Sequence, residues 1–96
     1  MAQFLMIAAR NYRDFPESAF ESLLEPEAEA LRVAYAAGIA RQAWTRKDKP
    51  GAVVLLEFDS LEAAKAWSET LPLRAAGMLD TEFVELTGYR GFGPRG

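Results

Sequence analysis

Residues 38–59 read GIARQAWTRKDKPGAVVLLEFD, and this stretch decides the fold. It has the pattern of two strands joined by the polar loop Lys47-Asp48-Lys49-Pro50-Gly51, where proline fixes one backbone angle and glycine frees another. Placing Arg46 opposite Ala52 sets Trp44 opposite Val54, Gln42 opposite Leu56 and Arg41 opposite Glu57. Side chains alternate along a strand, so one face then carries Ala40, Gln42, Trp44, Val54, Leu56 and Phe58. The other carries Ile39, Arg41, Ala43, Thr45, Val53, Leu55 and Glu57. Both faces are largely apolar. The hairpin must therefore be covered on both sides, and any polar group left inside needs a partner.

Working outward, Gln3–Ala9 (QFLMIAA) is a short, continuously apolar run that fits a central strand. Between it and the hairpin lies helix. Asp14 is a candidate cap, Pro16 suits a first turn, and Phe20, Leu23, Leu24, Ala28, Leu31, Tyr35 and Gly38 fall near one stripe at helical spacing. Pro26 interrupts this stripe without changing its phase, which predicts a kinked helix or two abutting ones. Glu17, Glu21, Glu25, Glu27 and Glu29 read as the solvated side, and Gly38 as the C-terminal stop. Beyond the hairpin, Asp59 or Ser60 caps a second helix, with Glu62 at capping-box distance from Asp59 and Ala63, Ala64, Trp67 and Leu71 on its apolar side. Pro72 stops it, Leu73–Gly77 is irregular or a single turn, and Met78–Thr87 is the last strand. Residues 88–96 (GYRGFGPRG) form a glycine-rich tail whose aromatic pair, Tyr89 and Phe92, is expected to dock.

The order β-α-β-β-α-β predicts an α+β, ferredoxin-like single domain over residues 1–96: a four-stranded antiparallel sheet with both helices on one face. The opposite face needs a cover that a chain of 96 residues cannot itself supply. A second copy can supply it, as a symmetric homodimer.

Composition narrows the chemistry. The net charge is −3, and the 11 Lys and Arg residues are scattered, so the concentrated basic surface of a nucleic-acid binder is missing. The absence of cysteine and histidine removes disulfides, thiolate nucleophiles, the commonest general base and the usual zinc and haem ligands. No glycine-rich phosphate loop follows a strand, so neither metal nor cofactor is expected. No apolar run is long enough to span a membrane, and a cytoplasmic location is the expectation.

The segments AGIARQAWTR and VVLLEFDSLEA, the Leu71-Pro72-Leu73 triplet and a last strand ending in Glu85-Leu86 before a proline-containing tail resemble the muconolactone isomerase family of dimeric α+β barrels. The likeness runs from about Ala37 to Pro94, with Arg41 and Trp44 in R-x-x-W spacing and Glu57 as the acidic residue closing the third strand. Gln42 stands where the family has histidine. The resemblance implies a barrel dimer that can assemble further into rings, a pocket between sheet and helices, and a cofactor-independent proton shift on a small unsaturated lactone.

A proton shift beside a carbonyl needs a base and a cation for the developing enolate. Glu57 and Arg41 are the candidates, with Trp44, Gln42, Tyr12 and Tyr35 as substrate contacts. As a purely structural pair, Arg41 and Glu57 would be buried cross-strand neighbours, and Trp44 and Trp67 core or interface aromatics. Three functions stay open: an isomerase-like enzyme, favoured by a carboxylate in the pocket; a cofactor-free monooxygenase-like barrel, favoured by a large apolar cavity; and a non-catalytic binding or assembly protein, favoured by a closed core.

Overall fold

The computed structural model describes residues 1–93. Strand β1 (Ala2–Arg10) leads through a 3-10 turn (Glu17–Phe20) into helix α1 (Glu21–Ala36). Strands β2 (Ala40–Thr45) and β3 (Gly51–Phe58) form the hairpin, followed by α2 (Leu61–Ser68), the one-turn α3 (Pro72–Ala75) and strand β4 (Leu79–Leu86). The strands lie in the order β2-β3-β1-β4, each antiparallel to its neighbours, which is the expected ferredoxin-like sheet.

The hairpin register differs from the sequence reading by one residue. Thr45 pairs with Ala52, Trp44 with Val53 and Gln42 with Leu55, and a bulge at Arg41 then restores Ala40 to Leu56. The loop itself explains the slip. The Arg46 N–H donates to the Gly51 carbonyl at 3.0 Å, so the closing pair is Arg46 with Gly51 and the loop is one residue shorter. Arg46 also grips Asp48 with two hydrogen bonds of 3.0 and 2.7 Å. Gly51 lies against β1 so closely that a Cβ there would come within 2.1 Å of the Ala8 carbonyl oxygen. A one-residue shift turns every side chain of a strand over. Trp44 and Gln42 therefore join Val53 and Leu55 on the side away from the helices, while Ala43 and Thr45 take the helix side.

Helix capping follows sequence logic with three corrections. Helix α1 runs unbroken through Pro26, which lacks the N–H that would donate to the Ser22 carbonyl on an exposed side. Asp14 does not cap; it accepts a hydrogen bond from the Asn11 side chain at 2.9 Å, and Pro16 occupies the cap position of the 3-10 turn. Ser60, not Asp59, caps α2, its hydroxyl accepting from the Ala63 N–H at 3.1 Å, which leaves Glu62 out of a capping box. Gly38, with φ 80°, ends α1 as expected: its N–H reaches the Tyr35 carbonyl at 3.1 Å and that of Ile39 reaches Ala34 at 2.9 Å.

Two groups of buried side chains lie between sheet and helices. Phe4, Met6, Val54, Leu56, Ala64 and Leu71 belong to one; Ala8, Phe20, Leu73, Met78 and Leu79 form the other. On the opposite side of the sheet no helix packs among the described residues. Register there lines up Trp44, Val53, Ile7 and Glu82, then Gln42, Leu55, Leu5 and Val84, then Glu57, Gln3 and Leu86. Trp44 and Val84 are 48% and 43% exposed. In the tail, Tyr89 and Phe92 pack on each other with ring centroids 4.9 Å apart, yet both are exposed, so the surface on which the pair is expected to dock is not on its own chain. Pro94 and the end of the tail fall outside the described residues. Among the described residues no helix is long and apolar enough to cross a membrane.

Because the Ala8–Ala9 backbone occupies the space a side chain on Gly51 would need, Gly51→Ala should destabilise the chain by about 1–3 kcal/mol, the usual cost of forced overpacking. Urea unfolding of the two proteins measures it, and an unchanged midpoint would refute the close-approach explanation of the register.

Candidate active site

Helix α1 turns Leu24, Glu27, Ala28 and Leu31 toward the sheet, and there they bound a cavity of about 440 Å³. Met6, Ala8, Arg10, Thr45 and Val54 form its sheet wall, Leu73 and Leu79 its far side. The lining draws on both core groups, so the cavity lies where they meet. It also depends on the hairpin register, since the one-residue slip is what turns Thr45 inward.

Glu27 is the chemically distinctive member. Positions 20, 24, 27, 31 and 34 step by three or four, so Glu27 falls in line with Phe20, Leu24, Leu31 and Ala34 on the inner stripe. Its neighbours Glu17, Glu21, Glu25 and Glu29 are exposed as expected, while Glu27 is half-buried. Its Oε1 accepts the Leu73 N–H at 2.9 Å, a first-turn donor of α3 that has no partner within so short a helix. Burial raises the Glu27 carboxyl above the ordinary glutamate value, and the Leu73 hydrogen bond offsets part of that rise. A carboxyl raised above its ordinary value in an apolar wall can both accept and return a proton.

Arg10, at the end of β1, supplies the cation. Its guanidinium lies over the Phe20 ring at 5.2 Å from the centroid and donates through Nη1 to Glu17 at 3.2 Å and to the Tyr12 hydroxyl at 3.3 Å. These contacts fix its plane at the cavity wall. Thr45 adds a hydroxyl. Among the described residues no three acidic side chains converge on a common metal position.

The residues singled out in the sequence are distributed differently. Arg41 and Glu57 do meet, as a long ion pair of 3.7 Å, but neither lines this cavity. Glu57 sits on the helix-free face beside Gln3, whose amide donates to it at 3.3 Å, and borders an open hollow with Glu85 and Leu86. Arg41 borders a separate hollow with Tyr35 and Gly38. The pair is only partly buried, with the Arg41 side chain 52% and that of Glu57 27% exposed, so its contribution to stability is of the order of 0–1 kcal/mol rather than that of a buried pair. Trp44 and Gln42 face away from the helices, and Tyr35 is exposed. Tyr12 alone of that set reaches the cavity region, through its contacts with Arg10 and with Phe20 at 5.3 Å between ring centroids. Glu27 was missed because it was read as part of the solvated acidic side, and Arg10 because the first strand was read as the apolar run ending at Ala9.

A raised Glu27 has a defined signature. Its unfolded-state pKa is near 4.5, so the stability contributed by the protonated group is complete below that pH and is lost as pH rises through the higher folded value. Asp48 and Asp80, held low by hydrogen bonds from Arg46 and Arg13, act in the opposite sense: their contribution is present above 3.8 and lost at lower pH. Glu27→Gln should therefore gain stability relative to the parent chain as pH is raised from 4.5 toward 7, which denaturation across that range will measure. A pH-independent difference would contradict the raised carboxyl.

No protein-family model matches the chain, and no curated protein sequence matches it. Its fold does match solved structures. Muconolactone isomerase superposes with a TM-score of 0.75 at 19% identity, over 92% of this chain and 91% of that one. The 5-chloro-2-hydroxyhydroquinone dehydrochlorinase of Burkholderia phenoliruptrix, solved with 2,5-dihydroxybenzoquinone, gives a TM-score of 0.73 at 16% identity, over 93% and 97% of the two chains. The resemblance drawn from the hairpin and the Leu71-Pro72-Leu73 segment thus extends over nearly the whole chain as a shared fold.

Proposed function

We propose that this protein is a cofactor-independent enzyme that shifts a proton on an unsaturated lactone or a related catabolic ring compound, with Glu27 as the proton carrier. The observation that carries the proposal is a raised, half-buried carboxyl in an otherwise apolar cavity that also holds a fixed guanidinium. Ionised Glu27 removes a proton from the carbon beside the carbonyl. The C–H electron pair moves into an enolate, whose oxygen Arg10 stabilises. Protonated Glu27 then delivers the same proton to the far carbon of the conjugated system, so the double bond moves and nothing is consumed. Apolar walls keep water from quenching the enolate. The shared fold with an isomerase and a dehydrochlorinase supports this class of chemistry without specifying the substrate.

Proton exchange and double-bond migration of a muconolactone-type substrate can be followed by NMR in deuterated buffer. Glu27→Gln should lower turnover at least 100-fold, as loss of a general base does, while Glu57→Gln stays active. The reverse pattern would move the site to the Arg41–Glu57 pair. The predominantly apolar lining favours one second reading, a cofactor-free monooxygenase-like barrel. Oxygen uptake with a polycyclic phenol, and no proton shift on lactones, would establish it instead.

The helix-free sheet face supports a homodimer. Leu5, Ile7, Val53, Leu55 and Val84 make an apolar centre, and Gln3, Glu57, Glu82 and Arg41 lie around it. A second copy packed there should bury more than ~1,000 Å² in total, the floor for a specific interface. Sedimentation should show a dimer at micromolar concentration and a monomer for Leu55→Glu; a monomeric parent chain would rule this assembly out.

A further inference from the structure

We infer that the natural substrate of the Glu27 cavity is a two- or three-ring, largely apolar carbonyl compound whose one anionic oxygen is the enolate oxygen that Arg10 receives, rather than a single-ring acid. This deepens the proposed function and rests on its choice of site. Volume is the first ground. A cavity of about 440 Å³ equals roughly fifteen water volumes at ~30 Å³ each. It also falls within the ~300–1,000 Å³ range of pockets that enclose drug-sized molecules. Leu24 is half-exposed, so the cavity opens to solvent, and a one-ring lactone acid would leave Met6, Leu31 and Val54 against water that a second ring would displace.

Charge is the second ground. Among the side chains that line the cavity, only Arg10, Glu27 and Thr45 are polar, and only Arg10 is cationic. Nη1 of Arg10 is engaged by Glu17 and Tyr12, whereas its Nη2 and Nε make no hydrogen bond among the described residues. Two parallel N–H directions on a plane held by Phe20 suit a single carboxylate, phenolate or enolate. A second anionic group would meet apolar wall or the Glu27 carboxyl. Ala8 and Ala28 are the small residues that open the space between β1 and α1, so the cavity's size is set by side chains that can be enlarged.

Binding by the full chain to 2-naphthoate and to benzoate, which share one acid group and differ by one ring, tests this by titration calorimetry. Naphthoate should bind at least tenfold more tightly, equivalent to 1.4 kcal/mol. Ala28→Leu, which fills the cavity without touching the ionic groups, should abolish that preference. Arg10→Gln should weaken naphthoate at least tenfold and leave neutral 2-naphthylmethanol within twofold. Equal or tighter binding of benzoate would overturn the inference, as would a size preference that survives Ala28→Leu and so arises elsewhere on the surface. The parent-chain comparison stands even if a variant does not fold. Size-selective binding together with no proton exchange on any ligand would retain the ligand class and refute the catalytic reading.

Discussion

The approach of Gly51 to the Ala8 carbonyl is the constraint from which the functional geography of this chain follows. Only a residue without a side chain can sit there, and the Arg46–Gly51 backbone pair closes the loop beside it. That contact sets the register of β2 on β3, and register in a two-faced sheet decides which side chains are inside. Thr45 turns toward α1 and the cavity; Trp44 and Gln42 turn toward the helix-free face. The bulge at Arg41 returns Ala40 to the core, where it is 3% exposed. One position of close packing thus separates a candidate chemical face from a candidate assembly face.

On the chemical face, Glu27 has two duties that pull against each other. Its hydrogen bond to Leu73 N–H ties α1 to the Leu71-Pro72-Leu73 segment and favours the ionised carboxylate, while burial disfavours it. The balance leaves the carboxyl raised. A carboxylate fully satisfied by backbone donors would be too weak a base, and one with no donor would be costly to ionise. Arg10 is held in a similar compromise, stacked on Phe20 and partly neutralised by Glu17, with N–H directions left over for a substrate oxygen. The Arg41–Glu57 pair lies outside this cavity and is half open to solvent, which screens it.

Much of the fold was legible in the sequence because it rests on periodicity. The apolar run of β1, the stripe of α1 as far as Leu31, Gly38 as a stop and the β-α-β-β-α-β order survive in the structure, whereas Tyr35 turns outward and Ala34 takes its place inside. The hairpin register was not legible. It turns on whether the loop between Arg46 and Ala52 closes at Ala52 or at Gly51, and that depends on contact with a strand distant in sequence. The same error carried Trp44 and Gln42 into the expected substrate pocket. Glu27 was legible in principle, since it lies in phase with Leu24 and Leu31, but four solvated glutamates around it masked the exception. Arg10 was not, because its role arises from Phe20 and Tyr12 folding back over the end of β1.

The central claim is that Glu27 is a group whose protonation the protein controls and that its cavity receives the ligand. Carbon-13 NMR of glutamate side-chain carboxyls, assigned by comparison with Glu27→Gln and Glu57→Gln, addresses it directly. One resonance should titrate clearly above 4.5, vanish in Glu27→Gln and shift when ligand enters the cavity. Ordinary titration of Glu27, with the ligand-sensitive signal lost in Glu57→Gln instead, would contradict the account.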